Sequence, residues 1–292
     1  MSVPAMIAHL LLEQLPREPL LRVPESDAVM EAPAQVEAFA ESGRDQGILA
    51  YVYLFHAALS LPVIRPGDLV LDLACGPANQ LAQIARLNPE SRFIGLDASP
   101  RMLDLARDTL ARQGVDNVTP SYGDVTCLNN LGPASVDTVL CTMSLHHLPD
   151  TEALAQTMRE IHRVLKPGGG LFLADFGRLK RQATQRHFAY DRIEQQSQLF
   201  TADFLHSMRA AFSLDELRTA IEDAGLAAHG YHTALAPFMM IFRSQPRRVV
   251  DRSLTLRLQQ AYRRLDRGAR RDFDNLARWF GLGGLSLPCP VR

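Results

Sequence analysis

LVLDLACGPANQL, residues 69–81, is the stretch whose reading decides this chain. It runs from a short apolar strand through an acid, Asp72, into a tight loop of small residues and then a helix start. Small residues matter there because a ligand has to approach the backbone closely, and side chains beyond Cβ block it. The dinucleotide fingerprint G-x-G-x-x-G needs glycines at a spacing this loop lacks. Ala74, Gly76 and Ala78 alternate instead behind the acid, which suits a ligand with no pyrophosphate to cradle. A carboxylate at the C-terminal end of a strand lies where doubly wound sheets bind ligands.

Working outward, FIGLDAS (93–99) puts Asp97 at a second strand tip, 25 residues after Asp72. An acid about 20 residues beyond a glycine loop is placed to accept hydrogen bonds from ribose hydroxyls. Taken alone, Asp97 serves equally well as the N-cap of the next helix. Asp124, in SYGDV (121–125), follows a third strand. Each acid has a bland explanation as a cap or turn residue, but three at successive strand tips line one crevice. The surrounding rhythm agrees. Strand-like runs at 69–74, 92–97, 117–122, 136–141 and 170–176 alternate with helical stretches at 79–87, 100–113 and 151–165. Such alternation implies βαβ units and an open, doubly wound, mostly parallel sheet.

The flanks read differently. Residues 1–65 form a helical N-terminal cap, with prolines at 16, 19, 24 and 33 breaking its first half. GILAYVYLFHAAL (47–59) places Tyr51, Phe55 and His56 at helical spacing with Tyr53 turned away, as a core stripe or as a lid. The apolar run Ile48–Ile64 contains His56 and is too short for the roughly 20 residues of a membrane span. Within the main domain, 66–243, residues 177–212 are an insertion beside the crevice, carrying His187, Tyr190, Asp191 and Arg192 and then Phe200, Phe204, Leu205, Met208 and Phe212. SLDELRTAIEDAGL (213–226) starts with a capping pair, Ser213 and Glu216, and stops at Gly225; strand-like runs follow at 227–233 and 237–243. The extension 244–292 contains a long amphipathic helix, 249–280, striped by Leu254, Leu258, Ala261 and Leu265. From Arg243 to Arg278 there are eleven arginines and four aspartates, a solvated face or a surface for an anionic partner.

Composition narrows the classes. The 292 residues are 47% hydrophobic and 22% charged, enough for a buried core. Lys+Arg at 31 nearly balances Asp+Glu at 32, so there is no global case for nucleic acid or an anionic membrane. Cys75, Cys127, Cys141 and Cys289 lack the paired spacing of a metal or redox site, so no metal is expected. They read as reduced thiols in a cytoplasmic protein, and the N-terminus lacks the charged start and cleavage site of a secretory signal.

The ordered set VLDLACGPA, GLDAS with RMLDLAR, YGDV, VDTVLCTMSLHHLPD and LKPGGGLFLADF resembles the class I S-adenosylmethionine-dependent methyltransferases. The resemblance covers about residues 66–176 well and extends more weakly to 243. It implies a Rossmann-like seven-stranded sheet with one antiparallel strand and S-adenosylmethionine over the tips of the first strands. By that resemblance Asp72 lies near the methionine amine, and the loop Ala74, Cys75 and Gly76 packs on the cofactor. Asp97, with Ala98 beside it, binds the ribose hydroxyls, Met102 packs on the adenine, and Gly123, Asp124 and Val125 hold the adenine end. Met143 and Ser144 line the methionine end. Alanine stands at 74 and 78 where the family's commonest loop has glycine, removing freedom to adopt positive φ.

Methyl transfer from a sulfonium is an in-line displacement, so most acceleration comes from positioning, and a base is needed only for a protonated acceptor. His146 and His147, with Tyr51 from the cap, are the candidate catalytic residues, since histidine titrates near neutrality. The expected activity is methyl transfer to a small-molecule or peptide acceptor. The alternatives are an inactive scaffold of the same fold that uses its C-terminal helix on a partner, and a nicotinamide-dependent oxidoreductase, against which the missing fingerprint argues. No Asn-Pro-Pro-Tyr-like tetrad follows the fourth strand, so a nucleic-acid acceptor is not expected. The sequence is silent on oligomeric state, a homodimer included.

Overall fold

The structure, a computed structural model, describes residues 3–26, 29–44 and 46–291. Three helices come first: α1 (Val3–Leu12), α2 (Pro33–Ser42) and α3 (Ala50–Ser60). The alternating part follows as β1 (Leu69–Leu73), α4 (Asn79–Leu87), β2 (Arg92–Asp97), α5 (Pro100–Gln113), β3 (Val118–Tyr122), β4 (Val136–Thr142), α6 (Thr151–Val164) and β5 (Leu165–Phe176). Then come α7 (Gln182–Tyr190), α8 (Gln198–Ala210), α9 (Leu214–Asp223), β6 (His229–His232), β7 (Met239–Arg243), α10 (Arg252–Arg264) and α11 (Arg267–Leu282).

The strands form one sheet in the order β3-β2-β1-β4-β5-β7-β6, with β7 antiparallel to both its neighbours and the other pairings parallel. β1 lies between β2 and β4, so the connections leaving β1 and β4 cross to opposite faces and open a crevice above their C-terminal ends. The central strands are almost wholly apolar because both faces are covered. One core holds α3, α4, α10 and α11 against the sheet, and the other holds α6 and α9.

Local signals set most boundaries. Ser213 and Glu216 form the expected reciprocal capping box of α9, and Gly225 follows it at φ +74°. Ser99, not Asp97, caps α5, accepting from Met102 N at 3.2 Å; Pro100 occupies the first helical position, where no N–H is needed. Asp97 is thereby left to other partners. β5 starts five residues earlier than its apolar run, because Leu165 pairs with Val136 before the Gly-rich segment shifts register and pairing resumes at Gly170.

Two expectations are corrected. The stretch 249–280 is two helices, broken where Asp266 accepts from Ala269 N and starts α11. One straight helix would hold Tyr262 and Phe273 about 16 Å apart along its axis, whereas the break brings their rings to 5.3 Å. α3 is also not striped as expected. Tyr51 and Tyr53 both face the crevice, whereas Phe55 and His56 point into the core. A helix that is apolar nearly all round is buried on every side, and α3 sits between the sheet and α11.

The arginine-rich extension is only partly a solvated face. Arg247 donates to Asp68, Thr138 and the Val63 carbonyl, Arg248 to the Leu61 carbonyl and Asn88, and Arg243 to the Leu59 carbonyl. Arg247 and Arg248 staple the extension, and Arg243 the end of β7, to the segment that closes α3. Arg267, Arg270, Arg271 and Arg278 line a shallow surface depression on α11.

Candidate active site

A cavity of about 750 Å³ opens over the C-terminal ends of β1, β2 and β4. That lies within the roughly 300–1,000 Å³ of small-molecule pockets. Of the residues singled out in sequence, Asp72, Ala74, Cys75, Gly76, Asp97, Ala98, Met102, Asp124, Val125, Met143, Ser144, His146, His147 and Tyr51 all line it. Gly123 does not. It donates its N–H to the Asp97 carbonyl, and a Cβ there would meet Leu96 at 2.8 Å, so it is a packing glycine beneath the turn.

The loop after β1 winds through three left-handed positions, Ala74 (φ +54°), Gly76 (φ +54°) and Ala78 (φ +57°). The two alanines thus adopt the backbone that glycine would take more cheaply, at a cost of roughly 1–2 kcal/mol each. Cys75 N donates to the Leu96 carbonyl and ties the loop to β2. Burial, with Asp72 and Asp97 beside it, pushes the Cys75 thiol well up, so it is an inert wall.

Asp97 organises this end. Its Oδ2 accepts from Gly76 N at 2.7 Å and its Oδ1 from Ser99 N at 2.9 Å, which fixes the carboxylate between two loops. Burial raises its pKa, although those N–H donors oppose the rise. Asp72 is 4% exposed, and no described residue donates a hydrogen bond to its carboxylate. Burial and the charge of Asp97 push it up to about 8. A buried carboxyl raised in this way calls for a cation or donors from a ligand. An ammonium beside Asp72 and vicinal hydroxyls beside Asp97 meet those demands, so the residues present fit the amino-acid and ribose ends of S-adenosylmethionine. Asp124 stands exposed at the rim, its Oδ1 accepting from both Thr126 N and Thr126 Oγ1 at 2.8 Å. Met143, at φ +54°, donates its N–H to the Ala174 carbonyl at 2.7 Å, which holds the turn after β4 over the sheet.

The two histidines separate into different environments. His146 is 3% exposed; its Nδ1 lies 2.6 Å from Asp175 Oδ1, and its backbone N donates to Asp175 Oδ2 at 3.0 Å. Burial opposes its charge, yet Asp175 outweighs burial and the pKa is raised. His147 lines the cavity with a quarter of its side chain exposed, and its Nδ1 lies 2.5 Å from Glu25 Oε2. Among the described residues nothing bonds its Nε2. Burial alone would lift Glu25, but hydrogen bonding to His147 and Ser207 holds its carboxyl below the usual range. Tyr51 lies with its ring 5.4 Å from the Arg192 guanidinium, and burial pushes its phenol up, away from any role as a base near neutrality.

Sequence reasoning misses Glu25 and Asp175. Asp175 is the sole acid in the apolar run GLFLADF, and a lone charge there is the available signal. Glu25 sits in a proline-broken segment and has none. Arg22 holds that segment across the cleft by donating to the carbonyls of Ala210, Pro149, His146 and Leu148, with its guanidinium 4.0 Å over the Phe212 ring. Glu25, His146 and His147 each offer a ligand atom within 4.8 Å of the others. Two ligands of one zinc-sized ion stand roughly 3.3 Å apart. The 2.5 Å between His147 and Glu25 is instead a hydrogen-bonding distance.

A single antiparallel strand in a 3-2-1-4-5-7-6 sheet, with buried acids at the tips of β1 and β2, is the fold of the class I S-adenosylmethionine-dependent methyltransferases. Residues 70–169 match the methyltransferase domain family, so this stretch of the chain is a domain of that family. It is 31% identical over 164 residues to the 27-O-demethylrifamycin SV methyltransferase of Amycolatopsis mediterranei, covering 56% of this chain and 55% of that one. It is 34% identical over 118 residues to the demethylmenaquinone methyltransferase of Listeria monocytogenes, covering 40% of this chain and 48% of that one. The crystal structure of a SAM dependent methyltransferase from Aquifex aeolicus superposes with a TM-score of 0.54 at 16% identity, covering 73% of this chain and 98% of that one. The chain thus spans about half the length of these two curated relatives. Among the described residues no helix is long and apolar enough to cross a membrane.

Proposed function

We propose that this chain transfers a methyl group from S-adenosylmethionine to a hydroxyl of a small, apolar acceptor, with His147 as the general base. The observation that carries the reading is the Glu25–His147 pair facing the cavity. Its Nδ1 contact with Glu25 keeps the proton on that nitrogen and leaves the Nε2 lone pair toward the acceptor side. As the acceptor oxygen attacks, its proton passes to His147 Nε2, and Glu25 stabilises the imidazolium until the proton returns to solvent. Asp72 and Asp97 would hold S-adenosylmethionine, which would supply an electrophilic methyl on sulfur for the acceptor oxygen and depart as S-adenosylhomocysteine. His146, sealed against Asp175, positions the turn that carries His147.

A hydroxyl acceptor needs a base, whereas a neutral amine or a thiolate does not. The test is mass spectrometry of products from a panel of phenols, alcohols, amines and thiols, followed by variants on whichever substrate reacts. His147→Ala and Glu25→Gln are expected to lower kcat by about 10²-fold or more while leaving S-adenosylmethionine affinity unchanged. Turnover by His147→Ala at the parental rate, or methylation confined to amines and thiols, sinks the reading.

A further inference from the structure

Six of the chain's thirteen phenylalanines line this cavity: Phe39, Phe176, Phe188, Phe200, Phe204 and Phe238. Five of them form a continuous set of rings drawn from β5, α7, α8 and the turn before β7. Phe188 stacks on Phe238 at 4.0 Å and 22°. Phe176 lies 5.3 Å from Phe204 and 5.9 Å from Phe238, while Phe204 meets Phe238 edge-on at 6.5 Å and 71°. Phe200 joins the set through Phe204, 6.2 Å away. The rings reach the histidines, because the Phe176 ring is 5.5 Å from His146 and the His146 ring is 4.3 Å from His147.

Acids outnumber cations around this wall, with Asp191, Asp203 and Glu25 against Arg192. Arg192 pairs with Asp272, Asp203 accepts from Gln35 Nε2 at 2.6 Å, and Glu25 is held by His147 and Ser207. Gln196 is likewise spent on the Ala189 carbonyl and Thr201. An anionic acceptor would meet this surplus of acids and would have to break the Arg192–Asp272 pair to be neutralised, so the wall selects against it. Rings presented at tilts from stacked to edge-on offer both the faces and the edges that another ring packs against, in the 4.5–7 Å range where aromatic pairs gain beyond simple burial.

We infer that this wall is an acceptor subsite for a planar aromatic ring system that bears no negative charge and carries its hydroxyl at the edge facing His147. The inference rests on the functional reading above and adds the chemical class of the acceptor. Phe176, Phe204 and Phe238 select for a flat ring, and the surplus of acids selects against an anionic one.

The test compares two probes of similar size and apolar character, 2-naphthol and its saturated counterpart 2-decalol. Each is titrated calorimetrically into the full chain saturated with S-adenosylhomocysteine. The naphthol is expected to bind about tenfold more tightly. Phe238→Leu and Phe204→Leu, which keep an apolar side chain but remove a ring, are each expected to shrink that preference several-fold with S-adenosylhomocysteine affinity unchanged. Equal or tighter binding of decalol, no binding of naphthol, or a preference untouched in both variants overturns the inference. The two readings fail separately. Tight naphthol binding with no methyl ether formed from S-adenosylmethionine refutes hydroxyl transfer and leaves the aromatic subsite standing. Methylation of decalol in preference to naphthol does the reverse.

Discussion

Replacing Asp72 by asparagine tests the central electrostatic claim about this site, that β1 delivers a carboxyl into a place prepared for a cation. The folded protein holds this group up to about 8 against an ordinary value of 3.8. Between those values the native state keeps a proton that the unfolded chain releases, so the parent's stability falls as pH rises. The slope for one such group is about 1.4 kcal/mol per pH unit. The amide of the Asp72→Asn variant carries no such proton, and any fixed cost of burying it is the same at every pH. The stability of Asp72→Asn relative to the parent is therefore expected to grow by about 2–3 kcal/mol between pH 5 and pH 7. Urea unfolding followed by circular dichroism at pH 5, 6 and 7 measures it directly. The same argument fixes the ligand linkage. An ammonium beside Asp72 drives the carboxyl to its ionised form, so binding of S-adenosylmethionine near pH 7 is expected to release close to one proton. Calorimetry in two buffers of different ionisation enthalpy reads that proton, and Asp72→Asn is expected to lose both it and much of the affinity. Parallel pH–stability curves for parent and variant would refute the reasoning, because they would mean that burial of Asp72 is already compensated without ligand.

Three further outcomes are expected. Asp97→Ala removes the acceptor for two ribose hydroxyls, each worth about 1.5–3 kcal/mol when charge-assisted, so S-adenosylmethionine affinity should fall about 10²-fold or more; a folded variant that binds normally in calorimetry would contradict the assignment. Ala74→Gly relieves a left-handed alanine whose side chain is not fully buried, and after the entropy of glycine is subtracted it should stabilise by about 0.5–1 kcal/mol. A lower midpoint in thermal unfolding would show that the loop depends on the Ala74 methyl. Phe280→Ala, at a fully buried ring against Phe55, should cost about 3–5 kcal/mol in unfolding measurements, because α11 is part of the core. A negligible cost would make the C-terminal helices a detachable appendage.

The sequence by itself carried the sheet and the acids at its strand tips. Strand-helix alternation is a local periodicity, and Asp72, Asp97 and Asp124 sit at fixed offsets from strand ends. The topology of a doubly wound sheet then gathers those ends at one crevice without further information. Ser99 displaced Asp97 as a helix cap for a reason equally local, the proline at position 100. The acceptor end was different. Glu25 meets His147 and Phe188 meets Phe238 across long stretches of chain, through segments with no periodic signal. Adjacent histidines in sequence could not be told apart until folding sealed His146 against Asp175 and left His147 on the cavity. Tyr51 and Phe55, expected together on one side of α3, fall on different sides because α11, a distant element, packs Phe273 and Phe280 onto Phe55. Short-range pattern determined where this protein places the acids that line the crevice. Only tertiary packing decided which imidazole is free, which carboxylate orients it and which rings enclose the acceptor, because those contacts depend on burial and not on spacing.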